Sequence, residues 1–339
     1  MSSKHHITCV FEDGGTSRFT SSSFETVYQA ALRSGLTLET DCREGACGVC
    51  KAYLSDGECD LGDFSDEALS EDEEEQGYVL SCQARPRGDL VLQFGYPMSL
   101  LNKEMACLTA SVTALEAVAD NVMRLVLEGD GEPLPFLPGQ YVNLSVPGKV
   151  ASRSYSFANS PLKPGAMEFF VRLLDSGSMS DWLRHQARVG DSVRVEGPYG
   201  QFFLRSPRGG ELLMVAGGTG LAPILSMLEK LRADQARPPK VRVLYGANHP
   251  GELFALRRLA DYGDWVAVET AVVAGDGDWL GKVGFVTDLI AQQNLDDPSL
   301  ADAYLCGPPP MIEAARHALV ELGLPENRIF AEKFLPSEK

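Results

Sequence analysis

Four of the eight cysteines, Cys42, Cys47, Cys50 and Cys82, follow the order Cys-x4-Cys-x2-Cys, then thirty-one residues, then Cys. That is the ligand spacing of a [2Fe–2S] cluster held by four thiolates. The first three lie in one short loop, Asp41-Cys42-Arg43-Glu44-Gly45-Ala46-Cys47-Gly48-Val49-Cys50, so a single turn of chain can wrap a compact cluster. Gly45, Ala46 and Gly48 are small enough to let backbone N–H groups approach the cluster sulfurs, where they help set the reduction potential. Such a centre moves one electron at a time, so the expected chemistry is electron transfer. A structural zinc site would show a second close Cys pair, and Cys82 has none. A disulfide framework needs an oxidising compartment; the polar start Met1-Ser2-Ser3-Lys4-His5-His6 does not read as a secretory leader. Cys9, Cys59 and Cys107 are expected to be ordinary thiols.

Three further stretches carry the residue types of phosphate and ring-binding sites. In Leu213-Met214-Val215-Ala216-Gly217-Gly218-Thr219-Gly220-Leu221-Ala222-Pro223 an apolar strand, a glycine turn and a helix start follow one another. Glycines let the backbone come close to a pyrophosphate, and free N–H groups at a helix N-terminus favour its charge. Pro223 suits the first helical turn but stands where the third glycine of a full dinucleotide fingerprint would be, so the stretch alone equally fits an ordinary tight turn. Cys306-Gly307-Pro308-Pro309-Pro310-Met311 repeats the strand-turn-helix arrangement later in the chain, at the kind of carboxyl edge where open α/β sheets bind ligands. Between Tyr245 and Phe254 there is no Arg or Lys to hold a 2′-phosphate, which favours NADH over NADPH, and Glu252 is placed to reach a ribose. In Arg153-Ser154-Tyr155-Ser156, Arg can clamp a phosphate, Tyr can stack on a flat ring and Ser can hydrogen-bond a ring nitrogen. Gly177-Ser178-Met179-Ser180 opens a helix and offers a second anion site.

The elements that must position these residues fall into three patterns, hence a multidomain chain with three expected domains at 1–99, 107–205 and 209–339. The first reads as an α+β, β-grasp ferredoxin domain. A hairpin turns at Asp13-Gly14-Gly15, and Ser22-x-x-Glu25 caps a short helix over Val27, Ala30 and Ala31 that Gly35 stops. Ser70-x-x-Glu73 caps a second helix, and Tyr78 to Cys82 is a strand delivering the fourth cysteine. After a connection at about Gly95 to Met105, short strands broken by Pro and Gly predict a small antiparallel β-barrel, with one helix at Ser180 to Ala187. From Glu211 the pattern alternates apolar strands with amphipathic helices, an α/β nucleotide domain with a parallel sheet. Its last helix is expected to bury Met311, Ala315, Ala318 and Leu322 and to stop at Gly323.

Charge and composition narrow the function. The net charge of -17 argues against nucleic acid and against anionic membrane surfaces as partners. Residues 1–100 hold 18 Asp and Glu against 7 Lys and Arg, a balance of -11, so the first third carries most of the excess. No apolar run approaches the roughly 20 residues that span a bilayer. The five histidines show no metal-binding spacing, and there is no Gly-x-Ser-x-Gly elbow.

Arg-x-Tyr-Ser, Gly-x-x-Ser, Gly-Gly-Thr-Gly-x-Ala-Pro, Cys-Gly-Pro-x-Pro-Met and a terminal aromatic, in that order, resemble the ferredoxin–NADP reductase superfamily over residues 107–339. With the cysteine loop in front, the whole chain resembles the reductase components of two-component bacterial oxygenases. Asp41 to Gly45, Gln76 to Leu80, Gly139 to Asn143, Arg153 to Phe157 and Glu332-Lys333-Phe334 look most like the benzoate/toluate 1,2-dioxygenase reductase family. The resemblance implies electron flow from NADH to FAD to the [2Fe–2S] centre, and then to the Rieske centre of a separate terminal oxygenase, in the cytoplasm. It implies that Arg153, Ser154, Tyr155 and Ser156 hold the flavin, with Ser156 near N5, and that Gly177, Ser178, Met179 and Ser180 hold its pyrophosphate. Gly217, Gly218, Thr219, Gly220, Cys306, Gly307 and Pro308 would hold the nicotinamide nucleotide, with Cys306 near the reacting carbon. Phe334 would shield the flavin face, with Glu332 nearby. The alternatives are a reductase serving a di-iron hydroxylase or a sugar-deoxygenating enzyme, and a non-enzymatic iron–sulfur or zinc interaction protein.

Overall fold

In a computed structural model of the protein, residues 4–101, 106–129, 131–149, 151–162, 165–207, 209–234 and 238–334 are described. The start Met1 to Ser3 and the stretch 102–105 of the expected connection lie outside them. The chain divides into two compact units, Met1–Met105 with Tyr199–Gln201, and Ala106–Pro198 with Phe202–Lys339.

The first unit opens with β1 (Lys4–Phe11) and β2 (Thr16–Ser22), an antiparallel hairpin in which Ile7 faces Phe19. Gly14 supplies the positive φ (80°) of its turn. Helix α1 (Val27–Arg33) follows, but its cap is not Ser22. Thr26 and Gln29 form the capping box, while Ser22 and Glu25 bond to each other one turn earlier. Both pairs satisfy the Ser/Thr-x-x-Glu/Gln pattern, and the apolar residues Val27, Tyr28, Ala30 and Ala31 decide which of them starts the helix. Then come β3 (Lys51–Asp56), β4 (Cys59–Asp60), α2 (Glu71–Glu75), β5 (Tyr78–Leu80), β6 (Arg85–Pro86) and β7 (Leu90–Phe94). The main sheet runs β2-β1-β7-β3-β5, with β1 and β7 parallel and the other pairs antiparallel. Ser70 and Glu73 cap α2 reciprocally, as the spacing predicts. Phe11, Phe94 and Tyr96 stack in the core, their ring centroids 5.4–5.7 Å apart.

The second unit begins with six antiparallel strands: β8 (Ala106–Ala119), β9 (Val122–Gly129), β10 (Tyr141–Ser145), β11 (Ser152–Ser156), β12 (Ala166–Arg172) and, after helix α3 (Ser178–His185), β13 (Ser192–Tyr199). Their order is β11-β10-β13-β8-β9-β12. The sheet closes because Ala158, just beyond β11, donates its N–H to the Glu168 carbonyl on β12 (2.8 Å). The interior is filled by Leu125, Leu127, Val142, Leu144, Phe157, Phe169 and Val195. The length of β8 is not evident in the sequence. It takes two irregularities, at Val112/Ala114 and Ala117/Ala119, to carry one strand around the barrel.

A second sheet, entirely parallel, follows: β14 (Leu212–Gly217), α4 (Leu221–Asp234), β15 (Val241–Ala247), α5 (Leu256–Ala260), β16 (Val266–Val272), β17 (Lys282–Val283), β18 (Asp302–Gly307), α6 (Pro309–Glu321) and β19 (Ile329–Lys333). The order β17-β16-β15-β14-β18-β19 reverses direction at β14, the switch point where such sheets open a crevice. Helix α6 buries Ile312, Ala315 and Leu319, with Met311, Ala318 and Leu322 only flanking, so the buried stripe is turned slightly from the expected one. Among the described residues no helix is long and apolar enough to cross a membrane.

Candidate functional site

The cysteine loop has no regular structure; Arg43, Gly45 and Gly48 take positive φ (63°, 76° and 72°). A Cβ on Gly45 would stand 2.5 Å from the Asp63 carbonyl oxygen, and one on Gly48 would stand 3.0 Å from that of Ala68. The glycines are therefore required by the neighbouring 63–68 segment as much as by the cluster. The expected approach of N–H groups is present: Glu44 and Ala46 donate to Cys42 Sγ, each at 3.4 Å. Among the described residues no three His, Cys, Asp or Glu groups close on a single ion. The thiols come instead as two pairs, Cys42 with Cys47 and Cys50 with Cys82. Within each pair the two thiols lie in hydrogen-bond reach of each other, a contact that pulls Cys42 and Cys82 down and, with burial, pushes Cys47 and Cys50 up. Two irons, each taking two thiolates, fit this arrangement better than one metal does. Gln83, which the spacing argument missed, ties the loop to the fourth ligand. Its Nε2 donates to the Arg43 carbonyl (3.3 Å) and to Cys82 Sγ (3.8 Å).

In the barrel, β11 lies against β10 with Arg153 opposite Leu144, Ser154 opposite Asn143, Tyr155 opposite Val142 and Ser156 opposite Tyr141. Ser154 Oγ donates to Asn143 Oδ1 (2.7 Å), so this hydroxyl is committed across the ladder. Burial drives the Tyr155 phenol pKa up, and the ring packs against the barrel core. Ser156 is buried at the strand end. At α3, Gly177 is the residue before the first turn and has no side chain to cap it, which leaves that turn's N–H groups for an anion. Met179 points into the core instead, and Ser180 Oγ accepts from Leu174 N (3.0 Å). Met179 is thereby limited to its backbone, while Ser180 keeps its hydroxyl proton to donate.

The two glycine turns of the parallel sheet interlock. Ala216 and Cys306 are register partners on β14 and β18. A Cβ on Gly220 would stand 2.1 Å from the Cys306 carbonyl oxygen, and one on Gly217 would meet Met311 Sδ at 2.7 Å. Gly218, by contrast, has φ 55° and nothing within 4 Å of its missing Cβ, so the backbone there is open to a ligand. The Cys306 thiol is fully buried (0 % exposed), and burial together with the Glu332 charge lifts its pKa well above the ordinary value. Glu332 is its register partner on β19, a strand the sequence pattern did not disclose. Phe334 N–H donates to the Gly307 carbonyl (2.8 Å), and its side chain packs on the same core as Cys306. Glu252 does not reach outward as expected. Its Oε1 accepts from Asn121 Nδ2 (2.9 Å) and its Oε2 from Asn248 N (3.1 Å), so both oxygens serve the fold.

Three family profiles match in chain order: a 2Fe-2S iron-sulfur cluster binding domain at 10–87, an oxidoreductase FAD-binding domain at 109–204 and an oxidoreductase NAD-binding domain at 214–317. The fold and sites are thus those of an iron–sulfur flavoprotein oxidoreductase using FAD, NADH and a [2Fe–2S] cluster. The chain is 38 % identical to the toluate 1,2-dioxygenase electron transfer component of Pseudomonas putida, over 98 % of this chain and 99 % of that one. It is 37 % identical to the reductase component of phenol 2-monooxygenase from Pseudomonas sp., over 91 % of this chain and 89 % of that one. The crystal structure of the Amycolatopsis cytochrome P450 reductase GcoB superposes with a TM-score of 0.72 at 31 % identity, covering 98 % of this chain and all of that one. The chain belongs to the family of electron transfer components that serve oxygenases.

Proposed function

We propose that this chain is the NADH-dependent reductase of an aromatic-acid 1,2-dioxygenase of the benzoate type, passing electrons to a terminal oxygenase that carries a Rieske centre. The observation that carries it is the pair of interlocked glycine turns at the switch point of the parallel sheet, together with a thiol loop paired two and two, in one chain. Bound FAD takes two electrons from NADH and releases them singly, which the one-electron [2Fe–2S] centre requires. The work divides over domains at 1–99, 107–205 and 209–339. Cys42 and Cys47 hold one iron and Cys50 and Cys82 the other. Arg153, Ser154, Tyr155 and Ser156 line the flavin, and the backbone of Gly177, Ser178, Met179 and Ser180 receives its pyrophosphate. Gly217, Gly218, Thr219 and Gly220 admit the nicotinamide nucleotide, and Cys306, Gly307 and Pro308 floor its reacting end. Phe334 covers that end, and burial, with the Glu332 charge beside it, keeps the Cys306 thiol protonated. Four thiolates given to a cluster and four further cysteines outside any disulfide suit a reducing, cytoplasmic setting.

Full-length similarity to a toluate dioxygenase component supports an aromatic-acid oxygenase as partner. The comparable identity to a phenol monooxygenase reductase sustains a second reading, a monooxygenase partner. Gently purified protein should show flavin bands and a reducible iron–sulfur chromophore, and it should reduce ferricyanide with NADH. Absence of both chromophores would refute the reading. Reconstituted turnover with each class of oxygenase separates the two partners.

A further inference from the structure

The junction between the barrel and the parallel sheet is largely apolar. Val122, Ala158, Phe170 and Phe202 share one core with α4 and β14, and the Phe170 and Phe254 rings lie 4.5 Å apart. Apolar contact is non-directional, so it adheres without fixing register. At the margin of this core sits a polar knot that does fix it. Arg258 on α5 donates from Nη1 to Glu168 Oε2 on β12 (2.9 Å), and from Nη2 to Glu229 Oε1 on α4 (2.6 Å) and to the Ala158 carbonyl (2.7 Å). Glu168 and Glu229 are each 8 % exposed. The second oxygen of Glu229 accepts from Ser160 N (2.9 Å), and Ser226 Oγ donates to the Asn159 carbonyl (2.7 Å). Asn159 Oδ1 takes the Glu168 N–H (2.9 Å), and Arg124 Nε holds the remaining Glu168 oxygen (2.5 Å).

The knot's position gives it a consequence for chemistry. Ala158 lies two residues beyond Ser156, the end of the flavin strand. Ser226 and Glu229 lie on α4, which starts immediately after the 218–220 turn. A helix is stiff, and at 1.5 Å per residue Glu229 stands about 12 Å along it from Leu221. A slip at the knot therefore arrives at the glycine turn undiminished.

We propose that Arg258 is a positioning residue for hydride transfer: through Glu229 and the backbone of Ala158, Asn159 and Ser160 it sets the separation between the flavin strand end and the nicotinamide-binding turn. This rests on the NADH-to-flavin reading, in which NADH loses hydride and leaves as NAD+. Reacting atoms must sit about 3–3.5 Å apart, and a misplacement of about 1 Å costs on the order of 100-fold in rate.

The test uses the full chain loaded with FAD and cluster, as parent, R258M, R258K and E229Q. It reads the flavin-bleaching rate at saturating NADH, the Kd for NADH, and amide hydrogen exchange over residues 157–160. R258M should bleach at least about 10-fold more slowly, with Kd within about 3-fold of the parent, because the loss lies in alignment and not in binding. The Ala158 and Ser160 amides should exchange faster. R258K should recover only part of the rate, since an ammonium cannot span three acceptors as a planar fork does. If R258M does not fold, E229Q carries the test, with about a 3-fold or greater slowing and the same split between rate and Kd. A folded variant bleaching within about 2-fold of the parent, or a loss expressed wholly in Kd, overturns the proposal. A parent that NADH does not bleach would overturn the functional reading instead.

Discussion

Gly220→Ala and Gly218→Ala should fail in different ways, although the residues are two apart in one turn. At Gly220 the new methyl would stand 2.1 Å from the Cys306 carbonyl oxygen and 2.6 Å from its carbon. Both are backbone atoms of a strand paired on each side, by β14 and β19, so neither can swing aside. Overpacking a rigid site costs about 1–3 kcal/mol, and a collision with backbone belongs at the upper end. At about 2–4 °C per kcal/mol for a unit of this size, the melting temperature should fall by roughly 6–12 °C. At Gly218 the space is empty and the cost is only the left-handed conformation at φ 55°, about 1–2 kcal/mol. In the proposed nucleotide site the methyl would enter the opening left for the phosphates, and NADH affinity should fall by about 10-fold, equivalent to about 1.4 kcal/mol. Thermal melts and NADH titrations of both variants decide the matter. A Gly220→Ala protein as stable as the parent would refute the steric argument. A Gly218→Ala protein that binds NADH normally would remove Gly218 from the site.

Cys47→Ser should abolish electron delivery to the oxygenase and bleach the iron–sulfur absorbance while leaving NADH-driven ferricyanide reduction near the parent rate; equal loss of both activities would contradict the division of labour. Arg205 lies 4.2 Å from the Phe203 ring centroid and 4.0 Å from that of Phe330 on β19, the strand that carries Glu332. Arg205→Ala should cost about 1–3 kcal/mol in a denaturant melt from two cation–π contacts, and Lys should restore part of it; an unchanged midpoint would mean the sandwich holds nothing. Burial raises the Cys9 thiol from 9.0 to about 12. The unfolded thiol ionises above about pH 9 while the folded one does not, so this stability is present below pH 9 and is lost progressively towards pH 12, at up to about 1.4 kcal/mol per unit. The drop in urea midpoint from pH 8 to pH 10 should be smaller in Cys9→Val, and an identical drop would assign the effect to other groups.

What could be read from the sequence was local. The cysteine spacing, the Ser70–Glu73 box, the strand at Tyr78 and the two strand-turn-helix units each rest on residues within a dozen positions of one another, and each is found where the pattern puts it. Where two local patterns compete, as at the Ser22 and Thr26 caps, the sequence misleads by one turn; most other departures share one physical origin, a partner far away in the chain. Glu252 looked free for a ribose because Asn121, 131 residues earlier, cannot be seen from its own loop. Met179 stands in the helix-opening turn as expected, but its side chain is taken up by the barrel core, which is built from strands on both sides of it in the chain. The strand Ile329–Lys333 alternates poorly because it sits at a sheet edge and is recruited by β18. Arg258 carried no signal at all, since its acceptors lie 90, 29 and 100 residues away. The glycine and cysteine motifs are therefore legible as proposed ligand sites, because each gathers its binding groups within one short stretch, thiolates in the one and open backbone in the other. The distance between two ligands is set by contacts that no local spacing encodes, and that distance governs whether hydride passes.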